Sequence, residues 1–246
     1  MELTVNNKKL KLHFLTVVGS TLHKLNGENS DLDCKGVFTW EQDVVNSLVP
    51  PPEQLDNKNM KKEDRAELMV QLNEKFNREF DDDLDLFHSR KFFKNAMKSE
   101  PNMLDMLWAD TQEGMVLFCT PEFQKVLDNR KLFVNFNQAK QRFLGMSFNC
   151  LKLGTKENGR SKDLAKSLQS LMSFKNMVLT GEFNPVLPEA ERLVVQSVKE
   201  ADNTESLKSS VLSFRQKLED ECNVLELPEP EDNFGALNKL LLDLHK

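Results

Sequence analysis

The sequence predicts an α/β domain followed by a mainly α-helical part, and three observations carry that reading. The first 40 residues alternate apolar and polar side chains around glycine and asparagine turns. From about Pro121 onward leucine, methionine and phenylalanine recur at spacings of three and four. The composition, 29% charged with 9 Gly and 9 Pro in 246 residues, suits a helix-rich globular chain with enough material for a sizeable core.

The elements follow in order. Leu10, Leu12 and Phe14 alternate with Lys11 and His13 and run into Leu15-Thr16-Val17-Val18, the pattern of a strand passing from half-exposed to buried. Gly19-Ser20 stops it, a short helix over Thr21 to Leu25 follows, and Asn26 to Ser30 is a cluster of turn formers. Asp31 to Phe38 resumes strand-like alternation. Val49-Pro50-Pro51-Pro52-Glu53 is a connector, because three prolines remove donors and fix an extended backbone. Lys61 to Phe80 reads as a surface helix; Leu84, Leu86 and His88 then suit a third strand, followed by a helix from Ser89 that Pro101 ends. Helical stripes complete the chain: Leu164, Leu168, Leu171, Met172 and Leu179 within 161–180, then Leu207, Val211, Phe214 and Leu218, then Leu237, Leu240, Leu241 and Leu244. The expected division is a domain over 1–120 and a helical region over 121–246.

Several classes are excluded or disfavoured. With 33 basic and 39 acidic residues the net charge is −6, so the chain is no indiscriminate polyanion binder and nucleic acid has to be argued from a local site. Cys34, Cys119, Cys150 and Cys222 lie far apart without a Cys-x-x-Cys pair, which disfavours structural zinc and a disulfide framework and suits ordinary thiols in a reducing compartment. No apolar run approaches the roughly 20 residues that span a bilayer. The start Met1-Glu2-Leu3-Thr4 carries no signal core, so a cytoplasmic place is expected, in a bacterium or in the host if phage-encoded.

The informative constellation is Gly19-Ser20, ten residues, then Asp31-Leu32-Asp33. Carboxylates at i and i+2 of a strand point to one face and repel each other unless a divalent cation lies between them. Mg²⁺, with Mn²⁺ as the alternative, suits such a pair, since it takes one or two carboxylates and completes its shell with water and substrate phosphates. Gly19 permits close backbone approach, and Ser20 and Thr21 offer hydroxyls and backbone N–H groups to a phosphate. At average residue frequencies the four positions coincide by chance in on the order of one chain in a few hundred. A calcium loop fails, because its glycine falls on Cys34 and its bidentate glutamate on Trp40.

This spacing resembles the signature of the minimal nucleotidyltransferases of the DNA polymerase beta superfamily. The stretch from Val18 to Ala109 is similar to one branch, the bacterial and phage nucleotidyltransferases that include RNA-ligase-associated members. The matching blocks are Val18-Gly19-Ser20, Ser30 to Phe38, Pro50-Pro51-Pro52-Glu53-Gln54, Arg90-Lys91-Phe92 and Glu100 to Leu107. The resemblance implies a mixed sheet of five strands or fewer with flanking helices, a third carboxylate on the strand before Arg90, and transfer of NMP from an NTP. Asp85 fits the third carboxylate, Asp83 having the same parity; a solvated acidic loop over 81–85 is the plainer reading. The helical half resembles the family less: where members carry a Lys-x3-His-x2-Arg pattern, this chain has Lys162, Lys166 and Gln169. Two lysines at that spacing are usually the solvated side of an amphipathic helix. His23 and His88 receive no role.

The reading is therefore an NTP-dependent, two-metal nucleotidyltransferase, ATP being the expected nucleotide, that releases pyrophosphate. The active site is expected between the two parts, with Asp31, Asp33 and Asp85 as catalytic metal ligands and Gly19, Ser20, Thr21 and Lys35 as nucleotide contacts. Lys35 and Arg90 also read plainly as a solvated strand end and an exposed helix start. The acceptor, RNA, tRNA or protein, is open. The alternative is a catalytically silent nucleotide-binding or regulatory protein on the same scaffold, which the retained pair Asp31 and Asp33 disfavours.

Overall fold

The computed structural model describes residues 1–27, 31–45, 47–80 and 84–246. It is a mixed α/β protein whose chain divides into two compact units, one of Met1–Ala96, Asp105–Leu132 and Asn233–Lys246, the other of Met97–Leu104 and Phe133–Asp232. The expected boundary at 120 falls inside the first unit, between a strand and the helix that follows it.

The first unit is built on a six-stranded mixed sheet. Strand β1 (Glu2–Val5) and β2 (Lys8–Val17) form a hairpin whose two turn residues, Asn6 and Asn7, both take the left-handed conformation that a tight turn between twisted strands requires. Helix α1 (Gly19–Leu22) follows, then β3 (Cys34–Trp40) antiparallel to β2, α2 (Gln42–Val45), the two-residue strand β4 (Gln54–Leu55), and α3 (Lys62–Phe76). Left-handed Asn77 ends α3. Strand β5 (Leu84–His88) runs parallel to β3 and antiparallel to β4, and α4 (Ser89–Ala96) leaves its end directly. After α5 (Pro101–Leu107), β6 (Val116–Cys119) pairs with the second half of β2, and Thr120 caps α6 (Pro121–Asp128) by accepting the Phe123 N–H. The sheet has six strands where five or fewer were implied, since the hairpin strand β1 and the strand β6 are added along β2.

Alternation divides the sheet into two faces. Cys34, Phe38, Leu84 and Leu86 belong to a core that also takes in Leu68 and Leu72 of α3. The opposite face carries Phe14, stacked on Phe123 of α6 with ring centroids 4.5 Å apart, and its strand partner Val37. By parity Asp33, Lys35, Asp85 and Phe87 lie on this second face. Gly36 is required where it stands, because a Cβ there would come within 2.7 Å of both Leu86 and the Phe14 carbonyl.

The second unit is helical. Asn135 caps α7 (Phe136–Gly154), which packs antiparallel on α8 (Ser161–Thr180); α9 (Glu189–Glu200) and the Thr204-capped α10 (Glu205–Asn223) follow. Of the expected stripe, Leu164, Leu168, Leu171 and Met172 are buried, whereas Leu179, in the last turn before left-handed Gly181, is exposed. The C-terminal helix α11 (Phe234–Leu244) returns to the first unit, where Leu237 and Leu244 are buried and Ser89 and His245 share a hydrogen bond of 2.9 Å. All four cysteines are free and at least half-buried. No described helix is long and apolar enough to cross a membrane.

Candidate active site

Gly19 follows β2 with φ +66°, a left-handed conformation that favours glycine, and half-buried Ser20 and Thr21 continue into α1. Their carbonyls accept from Leu25 N–H (2.8 Å) and Lys24 N–H (3.1 Å), which rolls the chain into one compact turn. Asp33 stands one residue before β3. Its carbonyl accepts the Val18 N–H at 2.9 Å, and its carboxylate lies so close over Gly19 that a Cβ there would fall 1.9 Å from Oδ2. Gly19 is thus fixed twice, by its backbone angle and by the acid over it.

Asp85 lies in β5, on the strand beside β3, where Lys35 is its register partner. The two side chains meet: Lys35 Nζ is 2.8 Å from Asp85 Oδ2, with 19% and 32% of the side chains exposed, and the ammonium also sits 5.6 Å above the Phe87 ring. The structure therefore joins two residues that the sequence had given separate tasks. It joins Gly19 to Asp33 as well, just before the strand that carries Lys35. Asp31 is exposed and precedes the strand with Asp33, so the pair lies at the strand's mouth and not within it as the alternation had suggested. Asp83, the alternative to Asp85, lies outside the described residues, as does Ser30.

Among the described residues no group of three or more His, Cys, Asp and Glu forms a cage for a metal ion. The donor set still fits an Mg²⁺ of the kind that keeps most of its water. Hard carboxylate oxygens stand at Asp33 and, two residues away, at exposed Asp31, and one or two such ligands with substrate phosphates suffice. Asp85 is the conditional member, since Lys35 already compensates its charge.

Sequence reasoning missed two supporting contacts. His23, in the turn after α1, lies 3.3 Å from Asp105 of α5, with both side chains largely buried, and ties the Gly19-Ser20 turn to that helix. Lys91, in the first turn of α4, donates to Gln54 of β4 at 2.7 Å, while the Trp40 indole donates to the Pro52 carbonyl and the His88 N–H to that of Glu53. Gln54, Lys91 and Asp105 each belong to a separate block of the resemblance, and that shared membership was the available signal. The buried histidines carry no such role. Burial pushes His13 and His88 down to about 4, and His13 is bonded to Thr39 at 3.0 Å within the core.

A family model described as the RNA repair pathway DNA polymerase beta family matches residues 1–243. No curated protein matches the chain.

Proposed function

The chain belongs to the RNA repair pathway DNA polymerase beta family, polymerase beta-like nucleotidyltransferases, and from that premise we propose that it transfers NMP from an NTP, ATP in the first instance, to a hydroxyl of RNA. The observation that carries the reading is the seating of the Asp33 carboxylate on Gly19, directly before the strand whose Lys35 pairs with Asp85. Asp31, Asp33 and Asp85 would hold the Mg²⁺ ions, which supply charge neutralisation at the attacking and leaving oxygens. Gly19 gives the Asp33 carboxylate its seat at the start of the turn, and Ser20 and Thr21 present hydroxyl donors to the oxygens of a triphosphate. Lys35 balances Asp85 in the free protein and supplies a cation for the triphosphate. Asp85, once separated from Lys35, would help hold a metal ion or accept the proton of the attacking hydroxyl. Pyrophosphate leaves as the phosphodiester bond forms.

The test pairs label transfer with an apo melting curve for Asp33→Asn. The amide keeps the shape over Gly19 but loses the charge, so transfer from α-labelled ATP to RNA should vanish while the melting temperature holds or rises slightly. A variant that transfers at the wild-type rate would sink the proposal. Wild type that shows an ATP- and Mg²⁺-dependent thermal shift yet labels no RNA would favour the silent nucleotide-binding reading instead.

A further inference from the structure

Charge in the helical unit is segregated along the chain. Residues 136–180, which form α7 and α8, carry eight basic and two acidic residues, whereas 182–232 carry five basic and thirteen acidic. In a chain of net charge −6 this makes α7–α8 the basic stretch of the helical unit, although Lys175 is paired with Glu221 of α10 and exposed Glu157 shares the turn between the two helices. Its densest part is the tip where α7 gives way to α8, with Lys152, Lys156, Lys162 and Lys166 all exposed. Arg160 at the same tip is occupied by Asp163, at 3.1 and 3.3 Å.

The tip is built to hold its shape. Asn203, from the connection between α9 and α10, donates its amide to the carbonyls of Gly154 (2.9 Å) and Gly159 (2.6 Å) and spans the turn. Ser161 donates to the Ala201 carbonyl from the start of α8. Gly154 is pressed against Leu164, and a Cβ on Gly159 would lie 2.2 Å from the Gly154 carbonyl, so neither glycine has room for a side chain. Lysines on a fixed turn pay little ordering entropy when they meet an extended anion. One turn before Lys152 on the same strip of α7 stands Phe148, 57% exposed, an aromatic ring with no burial to explain it.

We propose that the α7–α8 tip binds the RNA acceptor, with Lys152, Lys156, Lys162 and Lys166 on backbone phosphates and Phe148 as a platform for an unstacked base. The cations define a polyanion, and the exposed ring beside them selects a single-stranded nucleic acid over an acidic protein, because bases stack and carboxylates do not. The choice of RNA rests on the nucleotidyltransferase reading above.

The experiment measures binding of fluorescein-labelled single-stranded RNA by anisotropy across a salt series, using the full chain. For K152Q/K156Q/K162Q/K166Q the expected result is an affinity loss on the order of 100-fold at low salt and a salt slope smaller by about 2–3, each lost phosphate contact removing about 0.7. Phe148→Ala should weaken binding about 10-fold and leave the slope unchanged. A control of equal charge in the other unit, K58Q/K61Q/K62Q/K75Q, should keep near wild-type affinity. The proposal is overturned if wild type does not bind RNA, if the tip variant keeps the wild-type slope, or if polyglutamate competes as well as RNA. The thermal shift with Mg²⁺ and ATP, read on the same proteins, separates the two readings. Its persistence in the tip variant supports a distinct surface, and its absence from wild type sinks the nucleotidyltransferase reading while the RNA data still decide the tip.

Discussion

At the mouth of β3 and β5 the polar side chains are half-exposed and paired closely, Asp33 over Gly19 and Lys35 on Asp85. Inside the helical unit the polar groups are sunk. Arg215 is 5% exposed, its Nε donates to Ser147 Oγ at 3.0 Å and its Nη1 to Glu219 at 2.6 Å, while Ser147 and Ser167 bond each other across α7 and α8 and Ser170 donates to the Phe143 carbonyl. Both regions concentrate polar chemistry. They differ in exposure: the Arg215 network is buried among helices, whereas Asp33 and Asp85 stand half-exposed at the sheet end with Asp31 exposed nearby in the chain. Residues of the first kind should govern stability, and residues of the second kind should govern chemistry with little effect on stability.

The largest effect expected is from Gly19→Ala. The new methyl would occupy the place of Asp33 Oδ2, and alanine at φ +66° costs about 1–2 kcal/mol by itself. A displaced carboxylate of even 1 Å should lower transfer on the order of 100-fold, while the melting temperature drops only a few degrees. Transfer at the wild-type rate, assayed with labelled ATP, would show that the acid's position over Gly19 is not demanding and would blur the contrast between the regions.

Arg215→Ala should reverse those proportions. It strips the Glu219 carboxylate and Ser147 of a buried donor and leaves a void, at a cost of about 3 kcal/mol, read as a lower urea midpoint. Arg215→Met, which keeps most of the stem's packing, should recover part of that loss. The thermal shift produced by Mg²⁺ and ATP should keep its size in both variants. If it disappears while the protein remains folded, the buried network reaches the nucleotide site and the division proposed here is wrong.

The two regions also differed in how far the sequence revealed them. The α8 boundaries, 161–180, and the β5 and α4 starts were legible because long periodic runs and a strand flanked by turn formers leave few alternatives. Strands β1, β4 and β6 were not, being four, two and four residues long, too short for alternation to register. The Asn6-Asn7 turn was the available clue to the first of them. The return of α11 to the first unit is a tertiary fact that no local pattern encodes. At the site, residue types and spacing located Gly19, Asp33 and Asp85, but spacing carries no account of partners. It could not show that Lys35 would spend its charge on Asp85, or that His23 would find Asp105 from 82 positions away.

The smallest effect in stability, and the one that sharpens the comparison most, belongs to Lys35→Met. The Lys35–Asp85 pair is partly solvated, so breaking it should lower apo stability by no more than about 1 kcal/mol. What changes is the charge at the sheet end. With the ammonium in place Asp85 is already compensated at 2.8 Å, and a divalent ion approaching Asp33 also meets the repulsion of that cation. Methionine keeps the stem over Phe87 and removes both obstacles. At this partly solvated, salt-screened sheet end, where the interaction approaches its bulk-water size, removing one unit of positive charge is worth about 1 kcal/mol, so Mn²⁺ should bind the variant at least roughly fivefold tighter when no nucleotide is present. Transfer should nevertheless fall, because the same residue is needed as a cation for the triphosphate. Adding Asp85→Asn to Lys35→Met should cancel the gain in Mn²⁺ affinity, which identifies the released carboxylate as its source. Mn²⁺ titrations followed by calorimetry or electron paramagnetic resonance decide the matter. Unchanged Mn²⁺ affinity in Lys35→Met, together with a stability loss of the size seen for Arg215→Ala, would move the Lys35–Asp85 pair out of the chemical region and into the structural one.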